Sequence, residues 1–298
     1  MAPALADGST RGWDSTRLAI PMVVDGRTIP YREFAIYVMP GHTVDVGFGE
    51  GGSGTVHFQG RTAAVGSALT APAEPGLTRL EIENAESGET SVINLFTLVP
   101  AARVDGKGFL NGYRIGRYPG KPLKGLDIYR VPPGFVEVTA DNAETPVSPN
   151  FRLGQFVCKQ EHDYPKYAVL RPDLLLKLEH ILAALNGHGR PTGSLTVMSG
   201  YRTPFYNQAI GNVPYSRHLW GGAADIFVDE APADGQMDDL NGDGKVDRGD
   251  ARWLADLVNG MADRGEFGPH VGGLGIYDSN AAHGPFIHVD VRGTRARW

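Results

Sequence analysis

Apolar and polar residues alternate in short runs through the first third of the chain. LAIPMVV (18–24), REFAIYVM (32–39), TVDVGF (43–48), GTVHF (54–58), RLEIEN (79–84) and SVINLFTLV (91–99) each carry the two-residue period or β-branched content of a strand. Gly, Pro, Asn and Asp separate them at close intervals, and no helical period interrupts them. The pattern predicts an antiparallel sandwich or barrel over residues 17–104. Residues 105–150 read differently, as GFLNGYRIGRYPGKP and YRVPPGFVEVT, which predicts connecting structure with one or two strands. The aromatic residues there either line a groove or pack a domain junction.

Helical periods appear only later. Asp173 serves as N-cap to a helix with Leu174, Leu175, Leu178, Ile181, Leu182 and Leu185 on one face and Gly187 as its stop. SLTVMSG (194–200) reads as a strand, and a short helical segment follows Pro204. A second amphipathic helix starts near Asp250 with Trp253, Leu254, Leu257, Val258 and Met261 on its buried side. FIHVDV (286–291) alternates as a strand and sets His288 and Asp290 on one face.

A length of 298 residues favours more than one domain. The division that follows from the patterns is a β-rich accessory domain over 1–104, a connecting segment over 105–150 and an α+β domain over 151–298. A hydrophobic share of 41% and a charged share of 21% argue against disorder. The net charge of −6, without a Lys/Arg cluster, argues against nucleic acid as a partner. No apolar run is long enough to span a membrane. Cys158 is the only cysteine, which excludes an intramolecular disulfide and a cysteine-rich metal site and fits a small buried residue. His42 and His57 have no second ligand nearby and read as surface or pocket histidines. Met1 to Thr16 lacks the basic and apolar regions of a signal peptide. The composition specifies no oligomeric state.

The chemistry concentrates in the last hundred residues. Ser216-Arg-His218-Leu-Trp-Gly221-Gly-Ala223-Ala-Asp225 fits SxHxxGxAxD at each fixed position, and His288 follows in FIHVD. Imidazole and carboxylate are zinc ligands, and a catalytic zinc keeps three of them plus water. The small residues between His218 and Asp225 let the backbone turn so that both reach one ion. With SGYR before the first ligand and HVDVRGTRARW at the end, residues 151–298 resemble the zinc D-alanyl-D-alanine carboxypeptidase and murein endopeptidase family, which shares its metal scaffold with lysostaphin-type enzymes and the hedgehog signalling domain.

The resemblance implies zinc held by His218, Asp225 and His288 in a groove on an antiparallel sheet. It also implies substrate binding by Arg202 and, as substrate, the stem peptides of bacterial peptidoglycan. The fold class is then multidomain: an N-terminal all-β, sandwich-like domain, with a possible wall-binding role, and a C-terminal α+β zinc peptidase domain. Such a substrate places the protein in the periplasm or outside the cell, with its export signal outside the present sequence. Many relatives carry a glutamate three residues before the last His ligand, where this chain has Pro285, and Phe286 stands where others have a second histidine. His283 is the candidate general base and Asp278 the reserve. Asp290 either fixes the tautomer of a ligand imidazole or pairs with Arg292 or Arg295, and Ser216 is grouped with it in the surroundings of the metal.

Between the second and third zinc ligands, Asp239, Asn241, Asp243, Lys245 (through its carbonyl), Asp247 and Asp250 follow the spacing of a calcium loop, with Gly244 at its sixth position. The ending in Asp and the run NGDGKV resemble dockerin modules, which carry two such loops where this chain has one. Zn2+ and Ca2+ are thus the expected cofactors, with calcium stiffening an insertion beside the groove. Three functions follow: a zinc peptidase of carboxypeptidase or endopeptidase type, with D,D or L,D specificity open; a zinc- and calcium-binding module without turnover; and a dockerin-like adaptor.

Overall fold

The computed structural model describes residues 12–49 and 52–298. Strands dominate it, with three α-helices confined to the second half. Every alternating run named above forms a strand, and Arg27–Tyr31, Arg61–Ala64 and Leu69–Thr70 add to them. Asp25 and Gly26, at φ +46° and +72°, turn Arg17–Val24 back onto Arg27–Tyr31. Asn111-Gly112, at +47° and +86°, does the same between Phe109–Leu110 and Tyr113–Arg114. Positive φ at both central residues gives a turn whose twist matches that of the paired strands.

The N-terminal half departs from a purely antiparallel arrangement. Its largest sheet has the order Glu33–Val38, Thr90–Thr97, Gly76–Asn84, Gly54–Phe58, Arg61–Ala64, and its first pair is parallel. Parallel neighbours need a crossover, here supplied by the intervening hairpins rather than by a helix. A three-stranded sheet of Arg27–Tyr31, Arg17–Val24 and Val46–Phe48 accompanies it. The connecting segment supplies Gly134–Val138, which joins Val99–Pro100 to Lys166–Ala168.

The C-terminal half is built on a five-stranded sheet in the order Thr196–Ser199, Ala223–Phe227, Phe286–Asp290, Gly273–Tyr277, Ala296–Arg297. It is antiparallel except at its last edge, where Ala296–Arg297 runs parallel to Gly273–Tyr277. One face, with Ala224, Ile226, Leu274, Ile287 and Val289, is buried, and helix α3 (Arg248–Asp263) packs on its Gly273–Tyr277 and Phe286–Asp290 strands. Helix α1 (Pro172–Gly187) lies between α3 and Glu33–Val38. Its N-cap is Arg171, followed by Pro172, so Asp173 sits within the first turn, where proline has already fixed the helical φ. Gly187 lies inside α1, and the left-handed residue that ends the segment is Gly189. Helix α2 (Pro204–Ala209) is capped by the Thr203 hydroxyl. Buried side chains of the two halves belong to one continuous apolar cluster running from Leu18 to Val291.

Candidate metal centre

His218, Asp225 and His288 come from three elements whose placement follows from local rules. His218 lies on the 3-10 turn Arg217–Trp220, which Gly221 ends at φ +60°. A Cβ at Gly221 would stand 2.2 Å from the Val169 carbonyl oxygen, so the position tolerates only glycine. The chain then enters Ala223–Phe227, where Asp225 pairs directly with His288 of the neighbouring strand. Direct cross-strand partners share a face, and this face is the one opposite the helices.

The facing atoms converge. His218 Nε2 stands 3.2 Å from Asp225 Oδ1 and 3.1 Å from His288 Nδ1, and His288 Nδ1 is 2.9 Å from Asp225 Oδ1. All three side chains are buried. Two ligands of a tetrahedral zinc at about 2.0–2.1 Å stand about 3.3 Å apart, so the spacing fits such an ion. Among the described residues this is the only group of three or more His, Cys, Asp or Glu side chains close enough to share a metal.

Both imidazoles have their outer nitrogen engaged. His218 Nδ1 donates to the Gly200 carbonyl at 2.6 Å, and His288 Nε2 donates to Asp290 Oδ2 at 3.3 Å. In the neutral rings, the lone pairs of His218 Nε2 and His288 Nδ1 therefore face each other and the Asp225 carboxylate, an arrangement that a cation relieves. Burial pushes the His218 imidazole toward its neutral form, with Asp225 opposing. Burial would also lower His288, but the Asp225 and Asp290 carboxylates outweigh it and raise it, so a proton competes with a cation for Nδ1. Asp225 is drawn up by burial and held well below the carboxylate range by the two histidines.

Asp290 serves both roles open to it in the sequence: it accepts from His288, and Arg292 grips it through Nε at 2.9 Å. Arg295 instead binds Asp263. The Gly273 backbone N–H adds a 2.9 Å bond to Asp290. Beneath the sheet, the buried Lys177 ammonium donates to the Asp290 carbonyl at 2.8 Å, and burial lowers it to about 8 against the pull of Asp290.

Other expected residues are placed differently. Arg202 is tied to Asp225 Oδ2 and, through Nε, to the Ser199 hydroxyl at 2.8 Å, so its guanidinium holds the ligand carboxylate. Ser216 occupies the N-cap of the 3-10 turn, where its hydroxyl makes no capping bond and its carbonyl accepts from the Leu219 N–H at 3.1 Å. His283 receives a 2.8 Å hydrogen bond from Asn280 Nδ2, donates to the Gly284 carbonyl at 2.8 Å and meets the Phe286 ring edge-on. Both its nitrogens are thereby occupied within its own loop. Asp278 is exposed and binds the Ser279 N–H.

The 239–250 loop is tied together by its own side chains. Its carboxylates accept backbone N–H groups: Asp239 from Gly242, Asp243 and Gly244; Asp243 from Lys245; Asp247 from Gly249. Asp250 is fully buried and accepts from Leu240, Asn241 and Asp247, closing the loop onto the start of α3. The Asn241 side-chain Oδ1 likewise accepts from the Asp243 N–H.

Sequence reasoning missed the strap that braces the His218 turn. Arg217 is buried, donates to the Ile128 carbonyl at 2.8 Å and lies over the Tyr129 ring, while Trp220 Nε1 donates to the Arg130 carbonyl at 2.8 Å. Tyr118 donates to the Leu219 carbonyl at 2.9 Å. Tyr118 and Tyr129 thus pack behind the His218 turn. His42 pairs with Asp25 and His57 with Thr62, both at the surface, and Cys158 is buried.

Residues 149–239 match the model of the family described as Peptidase M15, a family of zinc-dependent metallopeptidases. The match includes His218 and Asp225 and stops before His288. No curated protein matches the chain. Among the described residues no helix is long and apolar enough to cross a membrane.

Proposed function

We propose that this chain is a zinc peptidase that hydrolyses peptide bonds in the stem peptides or cross-links of bacterial peptidoglycan. One observation carries the reading: three ligand atoms of two imidazoles and a carboxylate converge, with each imidazole already bonded outward. The family match over residues 149–239 supports the metallopeptidase class. Zinc at such a triad supplies Lewis-acid polarisation of the scissile carbonyl and activation of water. Within the chain, His218, Asp225 and His288 hold the ion, Asp290 and Gly200 fix the rings, and Arg202 orients Asp225. The β-rich N-terminal part serves to hold the enzyme on the wall, and calcium in the 239–250 loop belongs to the same proposal on the strength of its spacing. Such a substrate implies work in the periplasm or outside the cell.

A second reading has its own support. Pro285 stands where relatives place a glutamate, and His283 is engaged within its loop, which suits a zinc-binding module without turnover. Purified peptidoglycan incubated with the zinc-loaded chain separates the two, with products read by mass spectrometry. New muropeptides from the wild type and none from His288→Ala are expected. Zinc bound at one equivalent without any cleavage would establish the module instead.

A further inference from the structure

The open face of the sheet continues past His288 into a row of aromatic rings. Trp298 lies with its ring centroid 5.2 Å from that of His288. Its indole spreads across the strand Gly273–Tyr277, where a Cβ at Gly273 would come within 2.9 Å of it and a Cβ at Gly275 within 2.5 Å. Both glycines are on the His288 face, since Gly275 pairs with His288 directly. The indole N–H donates to the Tyr277 hydroxyl at 2.7 Å, and Tyr277 stacks on Phe286 with centroids 4.6 Å apart and planes 4° from parallel. Despite these contacts Trp298 stays 48% exposed and Tyr277 36% exposed.

Two omitted side chains therefore make room for a flat aromatic surface that stays open to solvent beside the metal centre. On the other side of the centre, along the strand Thr196–Ser199, runs a groove of about 1540 Å³ with Lys159, Asp229, Gln236 and His283 in its wall. Sheet order puts Asp225 and His288 between Thr196–Ser199 and Gly273–Tyr277. Charged and amide groups on the groove side suit the backbone and carboxyl groups of a peptide. The indole side offers a half-exposed ring with the Tyr277 hydroxyl at its rim and the Arg292 guanidinium over it, 5.3 Å from its centroid. A pyranose matches that combination, because one face of the ring presents polarised C–H groups while its rim carries hydroxyl and amide groups.

We propose that Trp298 and Tyr277 form a subsite for the amino-sugar ring that bears the stem peptide, making the enzyme selective for peptides still joined to glycan. This inference rests on the peptidoglycan reading above. It is tested by steady-state kinetics of the full zinc-loaded chain on sugar-linked stem peptide and on the same peptide freed of sugar. Wild type should favour the linked form through KM. Trp298→Ala should lose about tenfold of that preference, while Trp298→Phe retains most of it. Absence of any preference in the wild type, or an unchanged preference in Trp298→Ala, overturns the proposal.

Saturation-transfer NMR with a peptide-free oligosaccharide of alternating N-acetylglucosamine and N-acetylmuramic acid gives a readout independent of turnover. Binding is expected in the wild type, weakened in Tyr277→Phe and lost in Trp298→Ala. Oligosaccharide bound without cleavage of either substrate removes the peptidase and leaves the subsite. Cleavage without oligosaccharide binding or preference removes the subsite and leaves the peptidase.

Discussion

A histidine binds a metal only through a ring nitrogen that is free of its proton and aimed at the ion, and at both His218 and His288 the outer nitrogen's partner sets that choice. Replacing Asp290 with alanine takes away the acceptor that orients His288, and with it the grip of Arg292. Zinc affinity of Asp290→Ala should fall about 10–100-fold, measured by competition with a chromophoric chelator. An affinity equal to wild type would show that strand geometry alone orients the ring. Gly221 has a different task, since its left-handed φ and its contact with Val169 fix the exit from the His218 turn. Gly221→Ala should cost about 3 kcal/mol of unfolding free energy, combining the backbone penalty with overpacking. Urea titration checks it, and a loss well under 1 kcal/mol would mean that the 169–170 backbone yields easily.

Among elements, α1 joins the two halves. Asp173 in its first turn binds Arg171 at 3.0 Å and Arg27 at 3.4 Å, the latter from a strand of the N-terminal half. Burial raises the Asp173 carboxyl, but Arg171 and Arg27 outweigh it and lower it below its ordinary value. An acid whose folded pKa is depressed contributes stability above its unfolded pKa and loses it as pH falls through the folded value. Asp173→Asn should therefore cost about 1 kcal/mol at neutral pH, with the difference from wild type shrinking below about pH 3.9 and vanishing in stronger acid. Urea unfolding of both proteins across that range decides it, and a pH-independent difference would exclude the ion pairs as its source.

The 239–250 loop allows a separate test at this scale. With zinc kept saturating, millimolar calcium should raise the melting temperature by at least about 3 °C, and Asp243→Ala should abolish the rise. An unchanged melting point defeats calcium binding.

Elements were legible in the sequence where a period or a cap recorded them: the apolar stripe of α3, the alternation in 286–290 and the small residues before Asp225. The parallel pairing of Thr90–Thr97 with Glu33–Val38 left no such record, because alternation fixes which face is buried and not the direction of a neighbour. The strap was hidden for a related reason. Tyr118, Tyr129 and Arg130 meet Leu219, Arg217 and Trp220 across long separations in sequence that no local pattern encodes. The occupation of Arg202 by Asp225 and of His283 by Asn280 likewise becomes visible only in three dimensions.

At the scale of the whole molecule, the apolar cluster does not divide at residue 104 or 150, and α1 contacts both Glu33–Val38 of the N-terminal half and α3 of the C-terminal half. Calorimetry should accordingly show one cooperative transition for the zinc-loaded chain. Two resolved transitions would mean that the halves unfold independently despite their shared interior.

The direct pairing of Asp225 with His288 also sets where the chain tolerates insertion and deletion. A strand reverses the sidedness of every residue when it slips by one, so deleting a single position inside 223–227 or 286–290 would turn Asp225 or His288 into the helix-covered layer. The exposed stretch 231–236, between those strands, is free of that constraint. Length variation among descendants of this chain should therefore accumulate there, with the two pairing segments inherited at fixed length.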